Sequence, residues 1–292
     1  MGKNLTSLVS CFARGYHYLN NDSWVFEDAL AHRLLTKQEY QEISQSMIEG
    51  IQFFNPQFEG TKEEALKWIV NHQLAPTVLA RSAFYQDCLK RKMKKESQYL
   101  IFGSGLDSFA YSLLKGLNVF EIDRPDVVKD KLQRLKNAHI DYDHVHFIGC
   151  QLENDDWISQ LYKNHYCQGV VSFSSLLGLC YYLSKDDFSK LLCILNKNVK
   201  EGSYLVFDYP CDHQSRESLK NKQLASGAGD SMKAKYQHDE IEKILLSHGF
   251  EIEKHLDYDV ITHLYFDEYN QCHYDSPIIP FQDISYVFAR KR

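Results

Sequence analysis

The chain has 292 residues, and no apolar run approaches the ~18 residues that a membrane-spanning helix needs. Its eight cysteines are scattered, with no C-x-x-C pair and no secretory leader before them. That argues against a disulfide framework and for reduced, buried thiols in the cytoplasm. No G-x-S-x-G and no phosphate-loop motif is present, so neither a serine hydrolase nor an NTPase has a starting point. His144 and His146 share a strand face, while His255, His263 and His273 are scattered near acids. None has the spacing of a metal-ligand set, and no metal is expected. Positive charge is not in excess: 33 Lys+Arg stand against 39 Asp+Glu, a net charge of -6. This disfavours a nucleic-acid partner. The one basic run, at 90–95, reads as a solvated helix C-terminus just before a strand. Internal repeats and low-complexity segments are also missing.

Against those absences stands one organised stretch. Ser97-Gln-Tyr-Leu-Ile-Phe102 is apolar and short, Gly103-Ser104-Gly105 follows, and a helix is possible from about Leu106. A second apolar run, Val119-Phe-Glu-Ile-Asp123, ends on an acid twenty positions after Gly103. The spacing suits one βαβ unit with a carboxylate at its mouth. Glycines there let backbone approach a ligand, and the acid can accept hydrogen bonds from ribose hydroxyls. The pattern therefore predicts a nucleoside-cofactor site. Glu121 points the same way along the strand as Asp123, and either supports that site or is a strand-edge charge.

The remainder alternates. Helices are expected over 6–19, 27–35, 38–53 and 63–86, the last interrupted near Pro76. After the first two strands come a helix at 125–139, a strand at 144–148, a helix at 157–163 and a strand at 169–174. A helix at 185–195, a strand at 203–208, a helix at 239–247 and strands at 250–256 and 285–289 complete the chain. Alternation of this kind implies an α/β fold, a seven-stranded, mostly parallel, doubly wound sheet. Residues 1–95 would form a helical cap and 96–292 the cofactor-binding domain, together one compact unit. Two insertions, 211–236 and 257–282, are longer than a minimal sheet needs. The second carries Tyr258, Tyr265, Phe266, Tyr269, Tyr274 and Phe281. Aromatics at that end of the sheet suit an organic ligand, which makes Tyr265 and Tyr269 candidate substrate-binding residues.

Phe102-Gly-Ser-Gly-Leu-Asp-Ser-Phe-Ala-Tyr111 with Phe120-Glu-Ile-Asp-Arg-Pro125 resembles the leucine carboxyl methyltransferase family. It is most similar to the bacterial class I S-adenosylmethionine (SAM) O-methyltransferases typified by polyketide carboxyl O-methyltransferases. Thr77-Val-Leu-Ala-Arg-Ser82, Ser174-Ser-Leu-Leu-Gly-Leu-Cys-Tyr-Tyr-Leu-Ser184 and the stretch 227–236 extend the likeness, in the family's order, over most of the chain. The resemblance implies SAM as cofactor, a Rossmann-like fold, and cofactor contacts at Arg81, Gly103, Ser104, Gly105, Asp123, Gln151, Leu152 and Ser174. In this family the arginine corresponding to Arg81 binds the carboxylate end of SAM. Two positions depart from the family's pattern. Gln151-Leu152 stands where many members have an aspartate-hydrophobic pair, and Leu176-Leu177-Gly178 where many have a glutamate.

The expected activity is transfer of a methyl group to a carboxylate or hydroxyl of a small organic molecule. No catalytic side chain is singled out, because in-line methyl transfer is catalysed mainly by positioning in a dry pocket. Two other readings stay open. One is a catalytically silent SAM-binding or interaction protein. The other is a nicotinamide-dependent oxidoreductase, disfavoured because the third glycine of G-x-G-x-x-G would fall at Ser108.

Overall fold

The computed structural model describes residues 4–92, 94–112, 117–152, 156–212 and 232–292. Its centre is a seven-stranded sheet of order β3-β2-β1-β4-β5-β7-β6. The strands are β1 (Gln98–Phe102), β2 (Asn118–Asp123), β3 (Val145–Gly149), β4 (Ser172–Leu176), β5 (Tyr204–Pro210), β6 (Phe250–Leu256) and β7 (Ile284–Lys291). All neighbours are parallel except β7, which runs antiparallel to both β5 and β6. The chain leaves β1 for β2 and β3 on one side, then crosses to β4 on the other. The crevice between β1 and β4 at their carboxyl ends is thus the topological switch point, where open α/β sheets take ligands.

Alternation along the strands sends side chains to two cores. Tyr99, Ile101, Val119, Phe173, Val206 and Phe288 enter one; Leu100, Phe102, Phe120, Ile122, Leu205 and Phe207 enter the other. The first core is closed by the N-terminal helices α1 (Leu5–Asn20) and α5 (Ala75–Lys92), through Phe12, Phe84 and Tyr85 among others. The second is closed by α7 (Asp156–Lys163), α8 (Lys185–Asn198) and a helix at His238–Ser247. The N-terminal segment is therefore a covering layer of the sheet that shares its core.

Several expectations shift in detail. Between 27 and 35 only a 3-10 turn, Ala31–Leu34, forms, because Asp28 uses Oδ1 to hold the Leu30 and Ala31 N–H groups in a turn. After the short helix α3 (Ile51–Phe54), helix α4 (Lys62–Ile69) runs through a π turn, Val70–Leu74, directly into α5. The wider turn lets Pro76, which has no N–H to give, sit in the first turn of α5 without a break. β4 reaches Leu176, two residues beyond its expected end at 174. After the glycine loop only the 3-10 turn Phe109–Tyr111 is seen, and the helix expected there otherwise falls on residues 113–116, outside the described residues. Most of the 211–236 insertion, residues 213–231, lies outside them as well. The other insertion is largely helical, with Tyr258–Ile261, a π turn at Thr262–Phe266 and Asp267–Cys272 in succession.

The covering layer is fixed to the sheet layer by ion pairs as well as by apolar contact. Glu39 on α2 (Lys37–Glu49) accepts from Arg134 of α6 (Pro125–Asn137) at 2.7 and 2.8 Å, a bidentate pair in a nearly dry setting. The guanidinium, with help from the Thr36 N–H, lowers the Glu39 pKa from 4.5 to about 2. A carboxyl whose pKa falls on folding adds stability above its unfolded pKa and loses it as pH drops through the folded value. Glu39→Gln should therefore cost about 2–3 kcal/mol in urea unfolding at pH 7. The gap from wild type should narrow between pH 4.5 and about 2. A gap independent of pH would show that shape, not charge, carries the contact.

Candidate functional site

Two clefts meet at the switch point. The wider, about 330 Å³, is lined by Gly103, Asp123, Arg124, Gln151, Leu152 and Tyr182 among others. The narrower, about 90 Å³, has Arg81, Ser104, Gly105, Asp107, Arg14 and Leu177 in its wall. Gly103, Gly178, Thr6 and Ser7 line both, so the two are halves of one elongated cleft that turns around the loop after β1. The wider half alone reaches the volume typical of small-molecule sites.

The loop that divides the cleft is held on every side. The Gly103 N–H continues the sheet by donating to Ile122 O at 2.8 Å. Gly105 has a left-handed φ of +43°, and a Cβ there would come 2.5 Å from Ser7 Oγ of α1. Only glycine satisfies both conditions. Its N–H donates to Asp123 Oδ2 at 2.7 Å, while Asp123 Oδ1 accepts from the Arg124 N–H at 2.7 Å. Burial raises the Asp123 pKa, and those two N–H groups pull against the rise. Each oxygen keeps a lone pair, and the side chain is half-buried at the wall of the wider half.

Below the loop is a buried pair absent from the sequence reading. Lys131 of α6 lies 2.7 Å from Glu121 Oε2, and both side chains are excluded from solvent. Lys131 Nζ also reaches Ser104 O at 3.5 Å, and Tyr111 donates to Glu121 Oε1 at 2.8 Å. Glu121 is thus no strand-edge charge; it anchors the lysine under the loop. From above, Arg14 of α1 donates to Leu106 O at 2.7 Å and to Asp28 Oδ2 at 2.8 Å, and Ser108 donates to the same Oδ2 at 2.6 Å.

Across the narrow half stands Arg81, and behind it the fully buried Asp208 at the end of β5. Asp208 accepts from the Gly178 N–H at 2.6 Å and from the Tyr181 hydroxyl at 3.0 Å. Arg81 Nη1 lies 3.5 Å from its Oδ2, a loose contact that leaves most of the guanidinium donors for the cleft. An acid at the carboxyl end of a strand is the signal Asp123 gave, and Asp208 gave it too. Lys131 carried no such signal, since a lysine on a polar-looking helix reads as solvated.

The structure brings Arg81, Gly103, Ser104, Gly105, Asp123, Gln151 and Leu152 to the cleft. It does not bring Ser174, which is 2% exposed in mid-sheet, paired with Leu100 and Leu205. Because β4 runs on to Leu176, the residues at its mouth are Leu177, Gly178 and Leu179 instead. Tyr265 and Tyr269 line neither half. Tyr269 is buried in the core, donates to Asn21 Oδ1 at 2.8 Å and stacks on His273. Tyr265 donates to Asp87 of α5 at 3.3 Å. Helical folding of their segment turns both rings down onto the covering layer. Among the described residues no His, Cys, Asp or Glu group could hold a metal ion, and no helix is long and apolar enough to cross a membrane.

The strand order and the cleft at its switch point are those of a class I methyltransferase. Solved structures agree on the fold. A DUF574 family protein from Streptomyces avermitilis superposes with a TM-score of 0.61 at 12% identity, covering 97% of each chain. Magnesium protoporphyrin IX methyltransferase from Synechocystis, solved with bound S-adenosylhomocysteine, superposes with 0.51 at 11% identity over 89% of this chain and 99% of that one. In sequence, the chain is 32% identical over 308 residues to YktD of Bacillus subtilis (strain 168), named as a candidate SAM-dependent methyltransferase, covering 99% of this chain and 98% of YktD. Residues 7–195 match the model of the leucine carboxyl methyltransferase family. The chain belongs to that family and is a SAM-dependent methyltransferase.

Gly178 sets the narrow half's shape and can be tested by itself. Its φ is +66°, and an added Cβ would lie 2.6 Å from Arg81 Nη1. The guanidinium can swing away, so the main cost of Gly178→Ala should be the left-handed backbone, roughly 1–2 kcal/mol in urea unfolding. Gly169→Ala, where the nearest atom is Cys167 Sγ at 3.8 Å and φ is not left-handed, should be close to neutral. Equal costs would remove the special role of the Gly178 backbone.

Proposed function

We propose that this protein transfers a methyl group from SAM to an oxygen of a small organic acceptor, with a carboxylate as the acceptor group. The observation that carries the reading is the pairing, in one cleft, of a half-buried carboxylate with spare lone pairs and an arginine with spare donors, on opposite sides of the glycine loop. In this reading Asp123 accepts the two ribose hydroxyls of SAM, and Gln151 and Leu152 border the adenine. The loop at 103–105 lets the methionine portion pass close to backbone, and Arg81 pairs with its carboxylate in fork geometry. The cofactor supplies a methyl group on a positively charged sulfur.

The protein's part is placement and exclusion of water. A carboxylate acceptor is already nucleophilic at neutral pH, so no general base is required. This fits a cleft behind which the buried acids Asp28, Asp208 and Glu121 each already serve a structural partner. Rate then comes from holding oxygen, carbon and sulfur in line. Family membership supports carboxylate over hydroxyl.

Asp123→Ala should weaken SAM binding by about tenfold or more in calorimetry, the scale of losing a charged acceptor for buried hydroxyls. Unchanged affinity would reject the ribose assignment. The acceptor class is read from the product. With methyl-labelled SAM and a metabolite extract, a carboxyl ester releases its label as methanol in mild base, whereas an ether does not. Label that survives base would contradict the carboxylate reading.

A further inference from the structure

The narrow half of the cleft holds two arginines and one aspartate, and their free valences differ. Each nitrogen of the Arg14 guanidinium is engaged: Nε donates to Asp28 at 2.8 Å, Nη2 to Leu106 O at 2.7 Å and Nη1 to Ser10 O at 3.3 Å. Among the described residues Arg81 makes a single loose contact, with Asp208. Asp107 accepts from the Phe109 N–H through Oδ1 at 2.7 Å, and among the described residues it makes no ion pair within 4 Å and Oδ2 has no partner. Burial raises the Asp107 pKa, with the charges of Lys131 and Arg14 only partly opposing it. A half-buried carboxylate with one idle oxygen in a cleft wall is placed to meet a cation that enters the cleft.

The idle groups are therefore one anion and one cation, in a space of about 90 Å³. An α-amino acid end has the matching pair of charges. Arg81 takes the carboxylate, and the remaining charge of such a ligand is an ammonium.

We propose that Asp107, through Oδ2, binds the α-ammonium of the cofactor's amino-acid end, so that Asp107 and Arg81 together read a zwitterion. The assignment rests on the SAM reading above and extends it to a group to which no residue has been assigned. Asp107 is a binding residue in this account and takes no part in the methyl transfer. Its Oδ1 bond to Phe109 sets the turn that follows the glycine loop, so the same side chain joins loop shape to ligand charge. A ligand lacking either charge would leave the other member of the pair unmatched in a dry space. The cleft should therefore discriminate against nucleosides without an amino-acid tail and against tails without the amino group.

Calorimetry with three ligands tests this: S-adenosylhomocysteine, its analogue without the α-amino group, and 5′-methylthioadenosine, which lacks the amino-acid end. For the wild-type protein, removing the amino group should weaken binding by about tenfold or more, the loss of one charge-assisted hydrogen bond. Asp107→Asn keeps an acceptor for the Phe109 N–H. It should bind the intact and deaminated ligands with nearly equal affinity and leave 5′-methylthioadenosine within about twofold of wild type. Equal binding of the first two ligands by the wild-type protein overturns the proposal whether or not the variant folds. A variant that weakens all three ligands alike also overturns it, since Asp107 would then act only through the loop. If the wild-type protein binds none of the three, the SAM site itself is misplaced and the assignment falls with it. Binding of 5′-methylthioadenosine without amino-group discrimination rejects Asp107 alone.

Discussion

Arg14 of α1 holds the molecule's working end together. Its guanidinium ties the first helix to the glycine loop through Leu106 O and to the turn after α1 through Asp28, and Ser108 closes the circuit on the same carboxylate oxygen. All of these groups are buried, so removing one partner would leave a charge unpaired in a dry setting. The consequence is architectural. A minimal α/β cofactor domain could begin at β1, but here the loop that divides the cleft is completed by a helix some ninety residues earlier in the chain. Ser7, in van der Waals proximity to Gly105, shows how close that helix comes.

Two buried acids perform comparable tasks on either side. Glu121 holds Lys131 under the loop, and Asp208 holds the backbone of Gly178 and the hydroxyl of Tyr181 behind Arg81. The cleft is thus lined by few charges but backed by several, and the backing charges are consumed in pairs. What is left over facing the cleft is Asp123, Arg124 and Lys233 in the wider half and Asp107 and Arg81 in the narrower. Preorganisation of this kind makes binding less costly, because the ligand does not have to order the loop that receives it.

Much of this was legible in the sequence. The seven strands, their mostly parallel order and the glycine loop with its distal acid followed from hydrophobic runs and a twenty-residue spacing. Seven of the eight residues assigned to the cofactor lie in the cleft wall. The exception, Ser174, lies in mid-sheet because of where the strand ends: β4 is continued by Ser175 and Leu176, whose burial comes from neighbours β1 and β5 rather than from local pattern. Tyr265 and Tyr269 lie away from both halves of the cleft because of their secondary structure. Their segment has no strong apolar period, and its π turn changes which side chains face inward. Lys131 was hidden for a third reason, since a buried lysine is recognisable only once its partner on another element is known.

The arrangement of the cleft can be read from a crystal structure with S-adenosylhomocysteine bound. Ribose hydroxyls should lie within hydrogen-bond distance of Asp123 and the ligand carboxylate on Arg81, with the glycine loop essentially unmoved. A ligand seated elsewhere, or one seated in the cleft with its ribose away from Asp123 and with Arg81 still turned to Asp208, would contradict that arrangement.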